Sequence, residues 1–223
     1  MDLENRKAIV TGASKGIGLS ISKALTEEGV QVAGWSRTPP ANFRHSNFHF
    51  VETDLTIESS VEDAFKNTKR LLGDDISILI NNAGAGYRGP MEDTPSEEWK
   101  RLFDLNVHGI YYTTKRIIPG MKSRREGHII NISSGAGTNG IAEMSAYCGT
   151  KHAVVGISES LHQELRVFGV KVTCLSPGSV DTGFSSSKKN KLKPDDLAAS
   201  VIHILSCPKN FHYTDLQVRP LQP

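Results

Sequence analysis

Short apolar runs rich in β-branched residues alternate along this chain with longer amphipathic stretches. Six of the runs read as strands: KAIVTG at 7–12, VQVAGWS at 30–36, FHFVET at 48–53, ISILINN at 76–82, HIINISS at 128–134 and VKVTCLSPG at 170–178. Helical stretches lie between them near 17–28, 57–72, 96–122 and 145–168. This alternation predicts an α/β fold, a doubly wound parallel sheet in a three-layer α/β/α sandwich. Right-handed crossovers would bring the carboxyl ends of the strands to one edge, where we expect a ligand.

The chain is expected to form one undivided domain over residues 1–223, a common length for a single α/β unit. The connection at 38–47 carries two prolines and is short for a crossover helix, so we expect an irregular crossing there. Residues 183–194 are polar and basic, and they predict a short substrate loop before a helix near 195–206. The segment at 214–221 is expected to supply a last strand.

Composition and charge exclude several classes of protein. The formal net charge of +2 is too small to indicate a nucleic-acid binder. Cys148, Cys174 and Cys207 lack metal-ligand spacing, so we expect neither a metal site nor a disulfide framework. Apolar runs fall short of the roughly 20 residues of a membrane helix, and MDLENRK lacks the apolar segment of a secretory signal. We therefore expect a cytoplasmic protein with no membrane or nucleic-acid partner.

A glycine-rich turn, TGASKGIG, ends the first predicted strand. Its glycines let the backbone turn sharply and approach a ligand where a Cβ would clash. The next helix would direct free N–H groups and its positive dipole end at a pyrophosphate, which predicts a Rossmann-type dinucleotide site. The predicted cofactor residues of this turn are Gly12, Ser14, Lys15, Gly16, Ile17 and Gly18. The alternative is an ordinary glycine-rich turn between a strand and a helix.

The end of the second predicted strand bears on the choice of dinucleotide. An acidic residue there would accept the ribose 2′-hydroxyl of NAD, whereas a cation would bind the 2′-phosphate of NADP. Ser36 and Arg37 occupy this place, and Lys15 in the glycine turn is expected to reach the same phosphate. The sequence therefore favours NADP(H), with two solvated surface cations as the alternative.

Tyr147 and Lys151 lie four residues apart in SAYCGTK, which places them on one face of a helix. A tyrosine with its usual pKa near 10 is a poor acid–base catalyst at neutral pH until something stabilises its phenolate, and a nearby ammonium does so. Ser134, at the end of the fifth predicted strand, is expected to hold a substrate carbonyl oxygen. Taken alone, the pair also fits the exposed face of an amphipathic helix.

Six motifs over residues 11–184 together resemble the short-chain dehydrogenase/reductase family. TGASKGIG is similar to its cofactor turn, NNAG at 81–84 to its fourth-strand motif, and HIINISSGAG and SAYCGTK to its catalytic segments. The resemblance implies cofactor contacts at Asp54, Leu55, Asn82, Ala83, Gly84, Tyr147, Lys151, Pro177, Gly178, Val180 and Thr182. It also implies that Asn106, in LNVHG, holds a proton-relay water through a distortion of its helix.

Each of these matches also has an ordinary structural interpretation. Asp54 would also fit as a cap of the following helix, and Asn82 as a tie between strands. Asn106 would equally suit an unremarkable helix position, while Pro177 and Gly178 would suit a turn.

The resemblance implies an NADPH-dependent reduction of a carbonyl group. In that reaction Tyr147 delivers a proton to the substrate oxygen, Ser134 positions that oxygen, and Lys151 holds the nicotinamide ribose and lowers the pKa of Tyr147. Asn106 anchors the water that restores the proton through Lys151. No metal is required.

The substrate and the oligomeric state are left open by the sequence. A β-ketoacyl-carrier-protein reductase, a small hydroxy-acid dehydrogenase and a non-catalytic NADP(H)-binding scaffold are the alternatives to a general carbonyl or alcohol substrate. Lys188, Lys189, Lys191 and Lys193 would attract an acidic substrate, or simply face water. A homodimer or homotetramer is expected from the resemblance. The apolar face of 157–165, with Ile157, Leu161 and Leu165, would belong to that interface or to the core.

Overall fold

The computed structural model describes residues 3–182 and 191–221. Its strands are β1 (Lys7–Thr11), β2 (Gln31–Ser36), β3 (Phe48–Glu52), β4 (Ile78–Asn81), β5 (Gly127–Ile132), β6 (Val170–Pro177) and β7 (Asp215–Val218). Its α-helices are α1 (Gly16–Glu27), α2 (Glu58–Leu72), α3 (Ser96–Phe103), α4 (Gly109–Arg124), α5 (Ser145–Leu165) and α6 (Pro194–Ser206). Every strand predicted from the sequence is therefore present, the last one included.

The strands form one sheet in the order β3-β2-β1-β4-β5-β6-β7, and each neighbouring pair runs parallel. The chain winds outward from β1 in one direction and from β4 in the other, so a crevice opens between the carboxyl ends of these two strands. The predicted doubly wound, Rossmann-type sheet is confirmed.

Side chains of alternate strand residues pack on opposite faces of the sheet, as the two-residue repeat of a strand requires. In β1, Ala8 and Val10 pack with Ile21 of α1 and Leu197 of α6. Ile9 points to the other face, where it joins the core beneath α2, α4 and α5. The fold is thus a three-layer α/β/α sandwich with one apolar core on each side of the sheet.

The sequence predicts one continuous helix over 96–122, and this prediction is wrong at its centre. A π-helical turn over Asp104–His108 separates α3 from α4, and α4 then runs on to Arg124. Each π-type bond spans five residues instead of four, so the turn takes in one extra residue. The spacing of the apolar residues does not indicate this local change.

Several predicted boundaries move by one to three residues. The helix expected over 145–168 ends at Leu165, and a 3-10 turn follows before Gly169, whose φ of +73° stops the helix. β5 ends at Ile132, because Ser134 caps a 3-10 turn by accepting a hydrogen bond from the N–H of Ala136 at 3.2 Å. Residues 38–47 contain turns and no regular element, as expected.

The predicted substrate loop at 183–194 lies mostly outside the described residues, and Lys188 and Lys189 fall in the part not described. Of the other two lysines, Lys191 lies 3.8 Å from a carboxylate oxygen of Asp181. Lys193 precedes α6, which begins at 194 instead of 195.

The two leucines of the 157–165 face belong to the core. Leu165 is fully buried in the cluster beneath α2, α4 and α5, and Leu161 packs against the same cluster. Ile157 is half-buried. Among the helices in the described part of the chain, none combines the length and apolar character needed to cross a bilayer.

Candidate active site

Predicted site residues from distant parts of the sequence meet at the carboxyl edge of the sheet. The glycine turn follows β1, the NNAG segment follows β4, Ser134 follows β5 and the 177–182 segment follows β6. Parallel strands that enter the sheet in the same direction must end at the same edge. This edge therefore contains the candidate site.

Two glycines of the first turn have backbone conformations that other residues rarely adopt. Gly12 has a φ of +68° and Gly16 has a φ of +56°. α1 begins at Gly16, so its first N–H groups and its positive dipole end face the crevice. Ser14 is half-buried, Lys15 is exposed, and Ile17 packs against the core. The turn is a cradle of a kind suited to a pyrophosphate.

Gly18 has no room for a side chain, because neighbouring atoms lie too close to its Cα. A Cβ at this position would meet the carbonyl oxygen of Gly12 and would lie 2.5 Å from Nδ2 of Asn82. The start of α1 therefore packs directly on the backbone of the turn and on the segment after β4.

Asn82 joins β1 to the end of β4 through hydrogen bonds, as its structural interpretation predicts. Its Nδ2 donates to the carbonyl of Thr11 at 2.9 Å, and the Thr11 hydroxyl accepts from the N–H groups of Asn82 and Ala83, both at 3.0 Å. These bonds fix the floor of the crevice. Gly84, just beyond, is exposed and faces Asn106 and Lys151.

The residues expected to bind adenosine lie beside the glycine turn. Ser36 is buried and donates its hydroxyl to the carbonyl of Thr38 at 2.8 Å, whereas Arg37 is exposed. Asp54 accepts from the N–H and the hydroxyl of Thr56 at 2.9 and 2.7 Å. The Thr56 hydroxyl bond is the main cause that lowers the pKa of Asp54, burial opposes it, and the charge of Arg37 adds to the lowering. Leu55 is buried.

Tyr147, Ser134 and Lys151 come together at the start of α5. The phenol of Tyr147 shares a hydrogen bond with the hydroxyl of Ser134. The ammonium of Lys151 lies 5.8 Å from the centre of the Tyr147 ring and donates to the carbonyl of Ile132 at 2.9 Å. Since Lys151 is only 5% exposed, this ammonium is inside the protein.

Burial controls the acidity of both groups. It raises the pKa of Tyr147 above its ordinary value, and the hydrogen bond with Ser134 opposes that shift. It also lowers the pKa of Lys151 to about 8. Of these two effects on Tyr147, the hydrogen bond with Ser134 is the one that favours the ionised phenol.

Asn106 lies in the π-helical turn and is fully buried. Its amide exchanges two hydrogen bonds with the backbone of Ala85, each of 2.9 Å, and donates to the hydroxyl of Thr150 at 3.0 Å. The side chain thus joins the segment after β4 to α5, one residue before Lys151. A helix distortion, which the resemblance implied at this residue, is present.

The segment after β6 closes the other side of the site. Pro177 ends β6, and the N–H of Gly178 donates to the carbonyl of Val218 at 2.7 Å. Val180 forms a bridge with Leu192, and the methyl group of Thr182 faces Gly16 of the cofactor turn.

A buried polar network that sequence analysis missed supports these residues. Asn81 donates to Asn131 at 2.8 Å and accepts from Thr113 at 2.7 Å, and Asn131 donates to Ser158 at 2.9 Å. The network therefore joins α4, β4, β5 and α5 within the sheet layer. Asparagines inside otherwise apolar strands were the available signal. Among the described residues, no group of three or more acidic, histidine or cysteine side chains is placed to bind a metal.

Comparison with known proteins identifies the family. Residues 6–193 match the short chain dehydrogenase family. The chain belongs to that family. An uncharacterized oxidoreductase of Staphylococcus aureus (strain MRSA252) is 35% identical over 229 residues, which cover 98% of this chain and 99% of the relative. This chain is thus an oxidoreductase of the short-chain dehydrogenase/reductase type.

Solved structures of the same fold are similar over nearly their whole length. A 3-ketoacyl-(acyl-carrier-protein) reductase from Brucella melitensis, complexed with NADH, has a TM-score of 0.92 at 27% identity, and the match covers 97% of this chain and 98% of that one. An alcohol dehydrogenase from the archaeon Thermococcus sibiricus, complexed with 5-hydroxy-NADP, has a TM-score of 0.87 at 26% identity, covering 98% and 97%.

The packing of Gly18 gives a first prediction. Gly18→Ala should lower the free energy of unfolding by about 1–3 kcal/mol, because the added methyl group has no room against Gly12 and Asn82. Gly156→Ala in α5 is the matched control, since a Cβ there meets nothing within 4 Å. It should stabilise the protein by roughly 0.5–1 kcal/mol through helix propensity. Urea denaturation measures both, and equal stability of the two variants would contradict the close packing.

Proposed function

We propose that this protein is an NADP(H)-dependent oxidoreductase of the short-chain dehydrogenase/reductase type that acts on a carbonyl or alcohol substrate, with Tyr147 as the acid–base group. The observation that supports this most is the meeting of the Tyr147 phenol and the Ser134 hydroxyl beside the buried ammonium of Lys151. A phenol that shares a hydrogen bond with a hydroxyl, next to a cation, is suited to exchange a proton with a substrate oxygen.

The residues of the cradle fit a nicotinamide dinucleotide. The left-handed Gly12 and Gly16 and the N-terminus of α1 suit the pyrophosphate. Bound NADPH would supply the hydride. Asp54 and Leu55 would contact the adenine, and Pro177, Gly178, Val180 and Thr182 would contact the nicotinamide. Asn82, Ala83 and Gly84 would also contact the cofactor. The Brucella and Thermococcus structures carry NADH and an NADP derivative, respectively, at a fold similar to this one.

The exposed cations support NADP(H) over NAD(H). Lys15 is exposed in the glycine turn, and Arg37 is exposed after β2, close enough to Asp54 to affect its pKa. An arginine offers several donors in the geometry of phosphate oxygens. The hydroxyl proton of Ser36 is directed at the carbonyl of Thr38, so this hydroxyl would have to rotate before it could donate to the phosphate.

The four catalytic side chains divide the work of the reduction. Ser134 donates a hydrogen bond to the substrate oxygen, and Tyr147 delivers its proton to that oxygen. Lys151 binds the nicotinamide ribose and passes a proton back to Tyr147, supplied by a water that Asn106 anchors. In the oxidation direction, Tyr147 acts as the base and these proton movements reverse.

The substrate proposed is a small carbonyl or alcohol compound. Likeness to the Brucella reductase keeps β-ketoacyl-carrier-protein reduction as a second candidate, and a small hydroxy-acid dehydrogenase as a third. The presence of all four catalytic side chains at one edge counts against a non-catalytic NADP(H)-binding scaffold.

We further propose a cytoplasmic homodimer or homotetramer. The three cysteines are free and buried, which suits a reducing compartment.

Removal of the Tyr147 hydroxyl tests the proposed acid–base role. Tyr147→Phe should lower kcat by about 10²–10⁴-fold, because no other group replaces its proton. NADPH binding, followed by fluorescence, should change little. Tyr111→Phe, at an exposed tyrosine of α4, is the control and should keep normal turnover. Near-normal turnover of Tyr147→Phe in a carbonyl panel would refute the role.

Removal of the Arg37 charge tests the choice of cofactor. Arg37→Gln should raise the KM for NADPH by roughly 10- to 100-fold, the effect of one lost charge-assisted hydrogen bond, and should leave the KM for NADH almost unchanged. Arg70→Gln removes the same charge from an exposed position of α2 and serves as control. A wild-type KM for NADH equal to or below that for NADPH would refute the NADP(H) assignment.

A further inference from the structure

Arg219 lies at the candidate site although it is 85 positions from Ser134 in the sequence. It directly follows β7, which pairs in parallel with β6, so the chain leaves β7 at the same edge where the catalytic side chains meet. The N–H of Gly178 bonds to the carbonyl of Val218, which fixes the backbone just before Arg219. The position of this arginine is thus set by the sheet itself.

The guanidinium of Arg219 lies against Gly135, the residue after Ser134. A Cβ built on Gly135 would be 3.2 Å from Nη1 of Arg219 and 3.5 Å from Nη2. A Cβ on Gly178 would be 3.5 Å from the Arg219 Cα. Arg219 therefore packs on two positions that have no side chain, and one of them is next to Ser134 in the chain.

The charge of Arg219 is not offset by a carboxylate in the described part of the chain. Within residues 3–182 and 191–221 it forms no ion pair, and its hydrogen bond goes to the neutral Oε1 of Gln217 at 3.0 Å. Two other cations near this edge do have such partners, since Arg88 lies 3.7 Å from Glu143 and Lys191 lies 3.8 Å from Asp181. Arg219 is exposed and accessible to a ligand.

We propose that Arg219 binds the carboxylate of the substrate and thereby makes the enzyme selective for short oxo acids and hydroxy acids. This inference rests on the proposed function, because it takes Ser134 and Tyr147 as the groups that hold the reacting oxygen. A guanidinium presents parallel N–H donors that match the two oxygens of a carboxylate. Its contact with the residue after Ser134 places that carboxylate a few atoms from the carbonyl that is reduced.

The test compares acids with their uncharged esters. The probes are three pairs that differ in the distance between carboxylate and ketone: 2-oxobutanoate, acetoacetate and 4-oxopentanoate, each beside its methyl ester. Reduction is followed by NADPH absorbance with the full-length wild-type protein, Arg219→Gln, Arg219→Lys and Arg166→Gln. Arg166 is an exposed arginine in the 3-10 turn after α5, near the opposite edge of the sheet, so its variant controls for net charge.

Wild type should prefer at least one acid over its ester. Arg219→Gln should raise the KM for that acid by roughly 10- to 100-fold, as expected for loss of a charge-assisted contact, with kcat less affected and the ester almost unchanged. Arg219→Lys should recover part of the affinity, because lysine keeps the charge but not the paired donors. Arg166→Gln should behave as wild type.

Binding of NADPH, measured by fluorescence without substrate, distinguishes a substrate contact from a cofactor contact. The dissociation constant for NADPH should be the same in Arg219→Gln and wild type. A tenfold weaker NADPH affinity in Arg219→Gln would assign the arginine to the cofactor and overturn the inference.

Two kinetic outcomes separate this inference from the proposed function. If wild type reduces the esters as well as the acids, or if Arg219→Gln affects both equally, the inference is wrong while the oxidoreductase function stands. If wild type reduces neither these probes nor a broad panel of carbonyl compounds, the proposed function fails and the inference fails with it.

Discussion

Lys151 carries a positive charge into the protein interior, where the carbonyl of Ile132 accepts a hydrogen bond from it at 2.9 Å. Desolvation makes such a charge costly, as the lowered pKa of about 8 reflects. The ammonium therefore needs a hydrogen-bond acceptor inside the protein, and the helix that carries it must be held in place. The Ser133 hydroxyl donates to the backbone carbonyl of Lys151 at 3.1 Å, which joins α5 to the end of β5. Because Tyr147 lies one helical turn earlier, the same contacts fix its phenol against Ser134.

The surrounding framework holds this arrangement from the other side. Asn106 links Ala85 to Thr150, next to Lys151 in the chain, and Asn131 of β5 bonds to Ser158 of α5. A buried amide side chain whose hydrogen bonds are all made has few acceptable geometries. Such amides therefore fix the positions of the strands and helices that they join. The glycine turn, the Tyr147 phenol and the Arg219 cation thus lie at one edge of the sheet, and strand direction and these polar contacts set its geometry.

The parts of the fold that were predictable from sequence are those that depend on local pattern. Alternating strand and helix periods predicted the parallel sheet, and parallel strands predicted that Gly12 and Ser134 would lie at one edge. The π-helical turn at Asn106 left no trace in the apolar spacing. Proximity of Arg219 to Gly135 depends on the pairing of β7 with β6, which a single sequence does not specify. Nor did spacing reveal that Ser36 would direct its hydroxyl to Thr38.

The central claim is that Tyr147, with its pKa set by burial and by Ser134, is the acid–base group. The pH dependence of kcat/KM for alcohol oxidation tests it most directly, because the base must be ionised and the rate should rise with pH through the pKa of Tyr147. The Ser134 bond lowers that pKa, so Ser134→Ala should move the rising limb to higher pH as well as reduce the rate. If kcat/KM rises over the same pH range in wild type and in Ser134→Ala, the claim that Tyr147 is the acid–base group is contradicted.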